Sequence, residues 1–220
     1  MVVVCFPGGA GGHFVGYLIQ QLLSQQPAIT VPDSNFHSLF QADQSFLNFS
    51  FLDHSMHSLE EEHSYARSIE STSEIVLGHF RDLEYLHQYL DQPTLINIKI
   101  SPETVDLLVA RVLREAIATN LNNTKYNDIR GNDWPETNSN FDQLPKWVKI
   151  EIESGLHKMF HHWNAQVNCT NTNVCAITTN DVFNGTIVDQ LVDHIKKPAV
   201  RGLIELHKNY QQLIKIKYNL

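Results

Sequence analysis

The sequence lacks the marks of several large protein classes. It has three cysteines, Cys5, Cys169 and Cys175, in no metal-binding spacing. So few exclude a disulfide-stapled scaffold, and an odd number without a secretory leader predicts free thiols in a reducing compartment, the cytoplasm. No apolar run approaches the roughly 18 residues of a spanning helix, which predicts no membrane association. The amino terminus carries no basic segment ahead of an apolar core and starts directly in a buried-strand pattern, which predicts no removable leader. Positive charge is in deficit: 16 Lys and Arg against 24 Asp and Glu, a formal net charge of −8. A sequence-independent nucleic-acid binder needs a basic face to displace counterions from phosphates, so nucleic acid is not the expected partner. There is no internal repeat, which excludes a solenoid.

The 220 residues are 42% hydrophobic and 18% charged, as expected of one globular domain spanning 1–220. Val2–Phe6 is a continuous apolar run, the pattern of a central parallel strand covered on both faces. After a glycine-rich stretch, Val15, Leu18, Ile19 and Leu22 keep the spacing of one helix face. Residues 28–73 have weak periodicity and predict loops with a helix near Met56–Ile69. Glu74–His79 predicts a second strand, Asp82–Leu90 a short helix, and Thr94–Ile100 a third strand. Ser101 is placed to cap the next helix and Pro102 fits its first turn. Residues 120–145 are polar and rich in turn formers, predicting a long loop. Lys146–Trp163 reads as helix and Asn173–Thr179 as a fourth strand, with closing helices at about 185–195 and 199–216. Strands alternating with helices predict an α/β domain with a four- to five-stranded, mainly parallel sheet. Ligands of such sheets bind outside the carboxyl ends of the strands, where the glycine stretch and His79 both fall.

The glycine stretch, Phe6-Pro7-Gly8-Gly9-Ala10-Gly11-Gly12-His13, has two readings. Glycines let successive amides converge on an anion, and the following helix adds unpaired amides at its positive end. Equally, glycine permits a tight strand-to-helix turn with close packing. Two familiar fingerprints are incomplete. With Gly12 as the last glycine of a Walker loop, Pro7 stands at the first glycine, His13 at the lysine and Phe14 at the magnesium-binding hydroxyl. The dinucleotide pattern fits Gly9 and Gly11 but meets Phe14 at its third glycine. If the stretch is an anion cradle, Gly11→Asp is expected to abolish binding with little loss of fold.

The order of elements resembles the P-loop sulfotransferase family, especially its divergent members in bacteria and their viruses. In that family a first strand runs into a P-[KR]-[ST]-G-[ST]-[ST] loop that grips the 5′-phosphosulfate of PAPS (3′-phosphoadenosine 5′-phosphosulfate). Pro7-Gly-Gly-Ala-Gly-Gly12 takes its place. Glu74–His79 is similar to the later strand that ends in a histidine base. Ile100-Ser101-Pro102 and its helix are similar to the element that holds the 3′-phosphate. Ile177–Phe183 is similar to a late strand with an acidic-hydrophobic turn. The resemblance implies a P-loop NTPase-like three-layer sandwich, no metal, and sulfuryl transfer from PAPS to an unidentified acceptor hydroxyl. Pro7, Gly8, Gly9, Ala10, Gly11, Gly12, His13 and Ser101 would bind the donor, with Arg111 or Arg114 of the following helix substituting for the missing 3′-phosphate arginine, releasing PAP, with His79 as base and His13 as a second catalytic group. Gly8 replaces the family loop's basic residue, Ile100 its 3′-phosphate arginine, and Leu108 its serine. Those departures leave a second implication open: a degenerate P-loop fold that binds a nucleotide or anion, or serves as a structural module.

Other polar groups carry weaker patterns. His157, His161 and His162 share a predicted helix, two of them four residues apart, without the glutamate of H-E-x-x-H. His54, His57 and His63 lie near Glu60-Glu-Glu62, which reads as a solvated face. Arg130 and Trp134 fall in the polar loop. Arg81 is expected to face the His79 pocket or to pair with an acid of the following helix.

Overall fold

The computed structural model describes residues 1–25, 49–51, 58–69, 73–118, 146–170 and 173–218. Residues 120–145, expected to form a polar loop with Arg130 and Trp134, and the histidines at 54 and 57 lie outside them.

Five strands form one parallel sheet: β1 (Val2–Cys5), β2 (Phe49–Phe51), β3 (Ile75–Gly78), β4 (Thr94–Lys99) and β5 (Cys175–Thr178), in the order β2-β3-β1-β4-β5. β1 lies at the centre. It pairs in register with β3 from Val2↔Ile75 to Cys5↔Gly78, and with β4 from Val2↔Thr94 to Cys5↔Asn97. The continuous apolar run of β1 follows from this position, because both of its faces are covered. β2 falls in the stretch without clear periodicity; three residues on an edge are too short to show a pattern.

Alternate residues of the strands feed two cores. Val2, Val4, Ile75, Leu77, Ile96, Ile98 and Ile177 pack on one face with α1 (Gly12–Ser24), α4 (Val105–Ala118), α5 (Lys146–Gln166), α7 (Val188–Ile195) and α8 (Leu203–Tyr218). Val3, Cys5, Val76 and Leu95 pack on the other with α2 (Leu59–Ser68) and α3 (Leu83–Tyr89). Helices on both faces of a parallel sheet make three layers. Each fully buried branched side chain contributes about 1.5–3 kcal/mol through loss of apolar contact with water. No helix among the described residues is long and apolar enough to cross a membrane.

α1 and α3 follow adjacent strands, β1 and β3, but lie on opposite faces. The chain therefore parts at the carboxyl ends of these two strands, which is where an open α/β sheet forms its crevice. A short helix not expected from the sequence, α6 (Thr179–Phe183), follows β5 directly. It is held by a capping box: Thr178 Oγ1 accepts from the Asp181 amide at 3.1 Å, and Asp181 Oδ2 accepts from the Thr178 amide at 3.0 Å.

The solvated face expected of Glu60-Glu-Glu62 is corrected by the structure. Glu60 and Glu61 are exposed in the first turn of α2, but Glu62 is only 2% exposed. Its carboxylate accepts from Arg81 Nε at 2.5 Å, the Arg81 amide at 2.8 Å and the Asp82 amide at 3.3 Å. Arg81 thus pairs with the preceding helix rather than the following one. His63 bonds Asp82 at 2.9 Å and stacks on Tyr85, while Asp82 Oδ1 caps α3 through the Tyr85 amide.

Two stability measurements follow. Glu62→Ala leaves a partly buried guanidinium and two amides without their acceptor, and is expected to cost about 3 kcal/mol in urea unfolding. His207, 3% exposed, donates from Nε2 to the Val182 carbonyl. Burial holds its pKa below the ordinary value, with the carbonyl bond acting in the opposite direction. A histidine depressed in the folded state binds its proton more readily when unfolded. Its contribution is therefore fully present above the unfolded pKa of about 6.5 and is lost as pH falls below it. The urea midpoint is expected to drop between pH 7 and pH 5, and to drop less in His207→Gln.

Candidate functional site

The glycine stretch links the end of β1 to α1 at the carboxyl edge of the sheet. Pro7 to Ala10 is a turn closed by the Ala10 amide on the Pro7 carbonyl at 3.1 Å, with Gly9 at φ 78° as a type II turn requires at that position. Gly11 caps α1 at φ 79° with no side-chain hydrogen bond. Backbone φ is thus positive at Gly9 and Gly11 but not at Gly8, Ala10 or Gly12. Turns with such alternation are one way for a chain to offer backbone amides to an anion. The amides of Gly8, Gly9, Gly11 and Gly12 donate no hydrogen bond among the described residues.

The same glycines also serve close packing. A β-carbon on Gly12 would collide with the Phe6 ring. One on Gly11 would stand 3.1 Å from both the Tyr210 hydroxyl and Val182 Cγ1, and one on Gly9 3.1 Å from Val112 Cγ2. Among the described residues, Gly8 alone of these four glycines has nothing within 4 Å of an added β-carbon. The tight-turn reading of the stretch is therefore the one its packing bears out.

His13 and His79 come together around Phe6. Both rings meet the Phe6 ring edge-on, with centroids 5.4 and 4.9 Å from it. His79 follows β3, and its Nδ1 donates to the Phe6 carbonyl at 2.5 Å. A carbonyl only accepts, so this bond fixes the proton on Nδ1 and puts the lone pair of the neutral ring on Nε2. His13 lies in the first turn of α1 and is half-buried.

Arg111 and Ser101 are placed differently. Arg111, on α4, is 6% exposed; it donates to the Tyr210 hydroxyl at 3.0 Å, and its guanidinium lies 5.1 Å from the centroid of Phe183 and 5.9 Å from that of Tyr218. Tyr210 thereby connects this buried cation to Gly11 from behind the loop. Ser101 takes the cap position of the 3₁₀ turn Pro102–Thr104, but its side chain does not cap. Its hydroxyl accepts from the Asn180 amide at 3.3 Å, while its own amide donates to Thr179 Oγ1 at 2.8 Å. Thr104 Oγ1 closes the network on the Ser101 carbonyl at 2.9 Å. Ser101 thus ties the end of β4 to the start of α6. Tyr210 was not legible as a site residue, because its distance from the loop in sequence hides the contact.

The remaining polar candidates do not converge on the loop. His157 and His161 stack on one face of α5, with His157 3.7 Å from Asp106. No group of three or more metal-ligating side chains occurs among the described residues. Cys5 lies in the core, where burial, and then the proximity of Glu62 and Cys169, push its thiol well above the ordinary value. It is therefore no ready nucleophile.

No protein-family model, curated protein or solved structure matches the chain.

The packing around the glycines overturns the expectation that Gly11→Asp spares the fold. At positive φ, with Tyr210 and Val182 close by, any side chain at position 11 strains the loop. Gly11→Ala is expected to lower stability by about 2 kcal/mol. Gly8→Ala is expected to leave it unchanged or raise it by about 0.5 kcal/mol. Urea midpoints of the two variants check the difference.

Proposed function

We propose that the glycine loop binds an oxyanion on its backbone amides, and that the protein is a P-loop-type, sulfotransferase-like domain acting on PAPS. The observation that supports the reading is that the amides of Gly8, Gly9, Gly11 and Gly12 meet no acceptor among the described residues, in a turn with positive φ at Gly9 and Gly11 that leads from the central strand into α1. In this reading the 5′-phosphosulfate rests on those amides and on the positive end of α1. The neutral His79 takes the acceptor's proton at Nε2 as the hydroxyl oxygen attacks sulfur. The sulfur–oxygen bond to the nucleotide breaks and PAP leaves. His13, in the first turn of α1, donates to a sulfuryl oxygen. Arg111 acts from behind the loop through its field, conveyed by Tyr210, rather than by touching the donor.

A second reading has its own support. Position 8 carries no cation, Ser101 is engaged with the Asn180 amide, and Arg111 is buried. These features suit a domain that binds a nucleotide or anion without turning it over.

Thermal unfolding separates the two. PAP at about 100 times its Kd is expected to add about 2.7 kcal/mol and raise Tm by about 5–10 °C, with ATP-Mg giving less. His79→Asn is expected to keep this shift and to lower conversion of PAPS to PAP, with phenols and sugars as acceptors, by about 100-fold or more. A PAP shift without turnover in the native protein supports the binding module. No shift with PAP, ATP-Mg or sulfate overturns both readings.

A further inference from the structure

The last turn of α5 crosses the carboxyl edge of the sheet. Asn164 pins it to the residue after β4: its Oδ1 accepts from the Ile100 amide at 2.9 Å and its Nδ2 donates to the Ile100 carbonyl at 2.8 Å. Four residues on, Asn168 joins the segment after β3. Its amide donates to the Arg81 carbonyl at 2.6 Å, and its carbonyl accepts from the Leu83 amide at 3.0 Å. β1 lies between β3 and β4. Residues 164–168 therefore strap the sheet across the end of β1, where the glycine loop begins.

Trp163 stands at the start of this strap. Its ring lies perpendicular to that of His79, with centroids 6.4 Å apart. Its Nε1 is buried and meets no acceptor among the described residues. An indole nitrogen can only donate, and a buried donor with no acceptor costs about 1–3 kcal/mol. A side chain chosen for packing alone incurs no such cost if it is phenylalanine. The cost is removed if a ligand brings an oxygen to this point.

We propose that Trp163 is a ligand-binding residue: its indole N–H donates to an anionic oxygen of a sulfate- or phosphate-bearing molecule seated on the glycine loop. The inference rests on the reading of the loop as an oxyanion site and adds a side-chain donor to it. The strap supplies the rigidity, since the two bonds of Asn164 fix the turn that carries the indole. In this proposal the loop offers backbone amides and the strap a neutral side-chain donor to the same group. A neutral donor suits a site without a cation at position 8.

The test uses the full-length protein, with PAP and inorganic sulfate as probes. In a ¹H–¹⁵N spectrum the Trp163 indole peak is identified by its loss in Trp163→Phe. Saturating PAP or sulfate is expected to move that peak downfield together with the amides of Gly8, Gly9, Gly11 and Gly12. Trp163→Phe is expected to weaken PAP binding about 10-fold, the loss of one hydrogen bond to a charged group, while the ligand-free Tm stays unchanged or rises. If the glycine amides move and the indole does not, or if Trp163→Phe binds PAP as the native protein does, the inference falls and the loop reading stands. If neither glycine amides nor indole respond to either probe, both fall.

Discussion

The ring of Phe6 occupies the space where a β-carbon on Gly12 would stand, and much of the carboxyl edge of the sheet is arranged around that contact. Phe6 is the first residue beyond β1, its amide still bonded to the Gly78 carbonyl at 3.1 Å. Its carbonyl accepts from His79, and its ring receives both His13 and His79 on edge. One residue thus sets the turn of the chain into α1, the tautomer of one histidine and the separation of two. Any side chain at position 12 would displace the ring and with it all three.

Around this contact the polar groups of the carboxyl edge are tied down in pairs. Glu62 holds the backbone after β3, Asn164 holds the backbone after β4, and the hydroxyls of Ser101, Thr104 and Thr179 join the ends of β4 and β5. Each tie uses a side chain to satisfy a backbone group that has left the sheet ladder and would otherwise be unpaired. The loops at this edge are therefore held by bonds rather than by length, which is what a preorganised binding site requires. The opposite consequence is a narrow tolerance to substitution. Gly9, Gly11 and Gly12 each face a neighbour within van der Waals reach, whereas position 8 meets none among the described residues.

Much of the fold was legible from local pattern. The valine run of β1, the isoleucine-rich β4 and the helical spacing of α1 and α4 each report burial on faces that the element itself defines, so period alone places them. The edge strand β2 and the short helix α6 escaped. Three residues on an edge carry too little alternation, and a helix of five residues is specified by a capping box that a strand pattern overlaps. Glu62 was misread because charge in a run of three glutamates signals solvent, whereas the ion pair with Arg81 depends on a helix docking nineteen residues away in sequence.

The site divides in the same way. Sequence by itself determined that a glycine-rich turn joins a central strand to a helix and that a histidine ends the neighbouring strand, because both statements concern adjacent residues and their conformational preferences. Only the tertiary structure decided which glycines are held by packing, that Arg111 and Tyr210 stand behind the loop, that Ser101 is engaged with α6, and that Trp163 is carried across the end of β1. These are contacts between residues tens of positions to nearly two hundred apart. They are set by how helices dock on a sheet, which leaves no period and no motif in the chain.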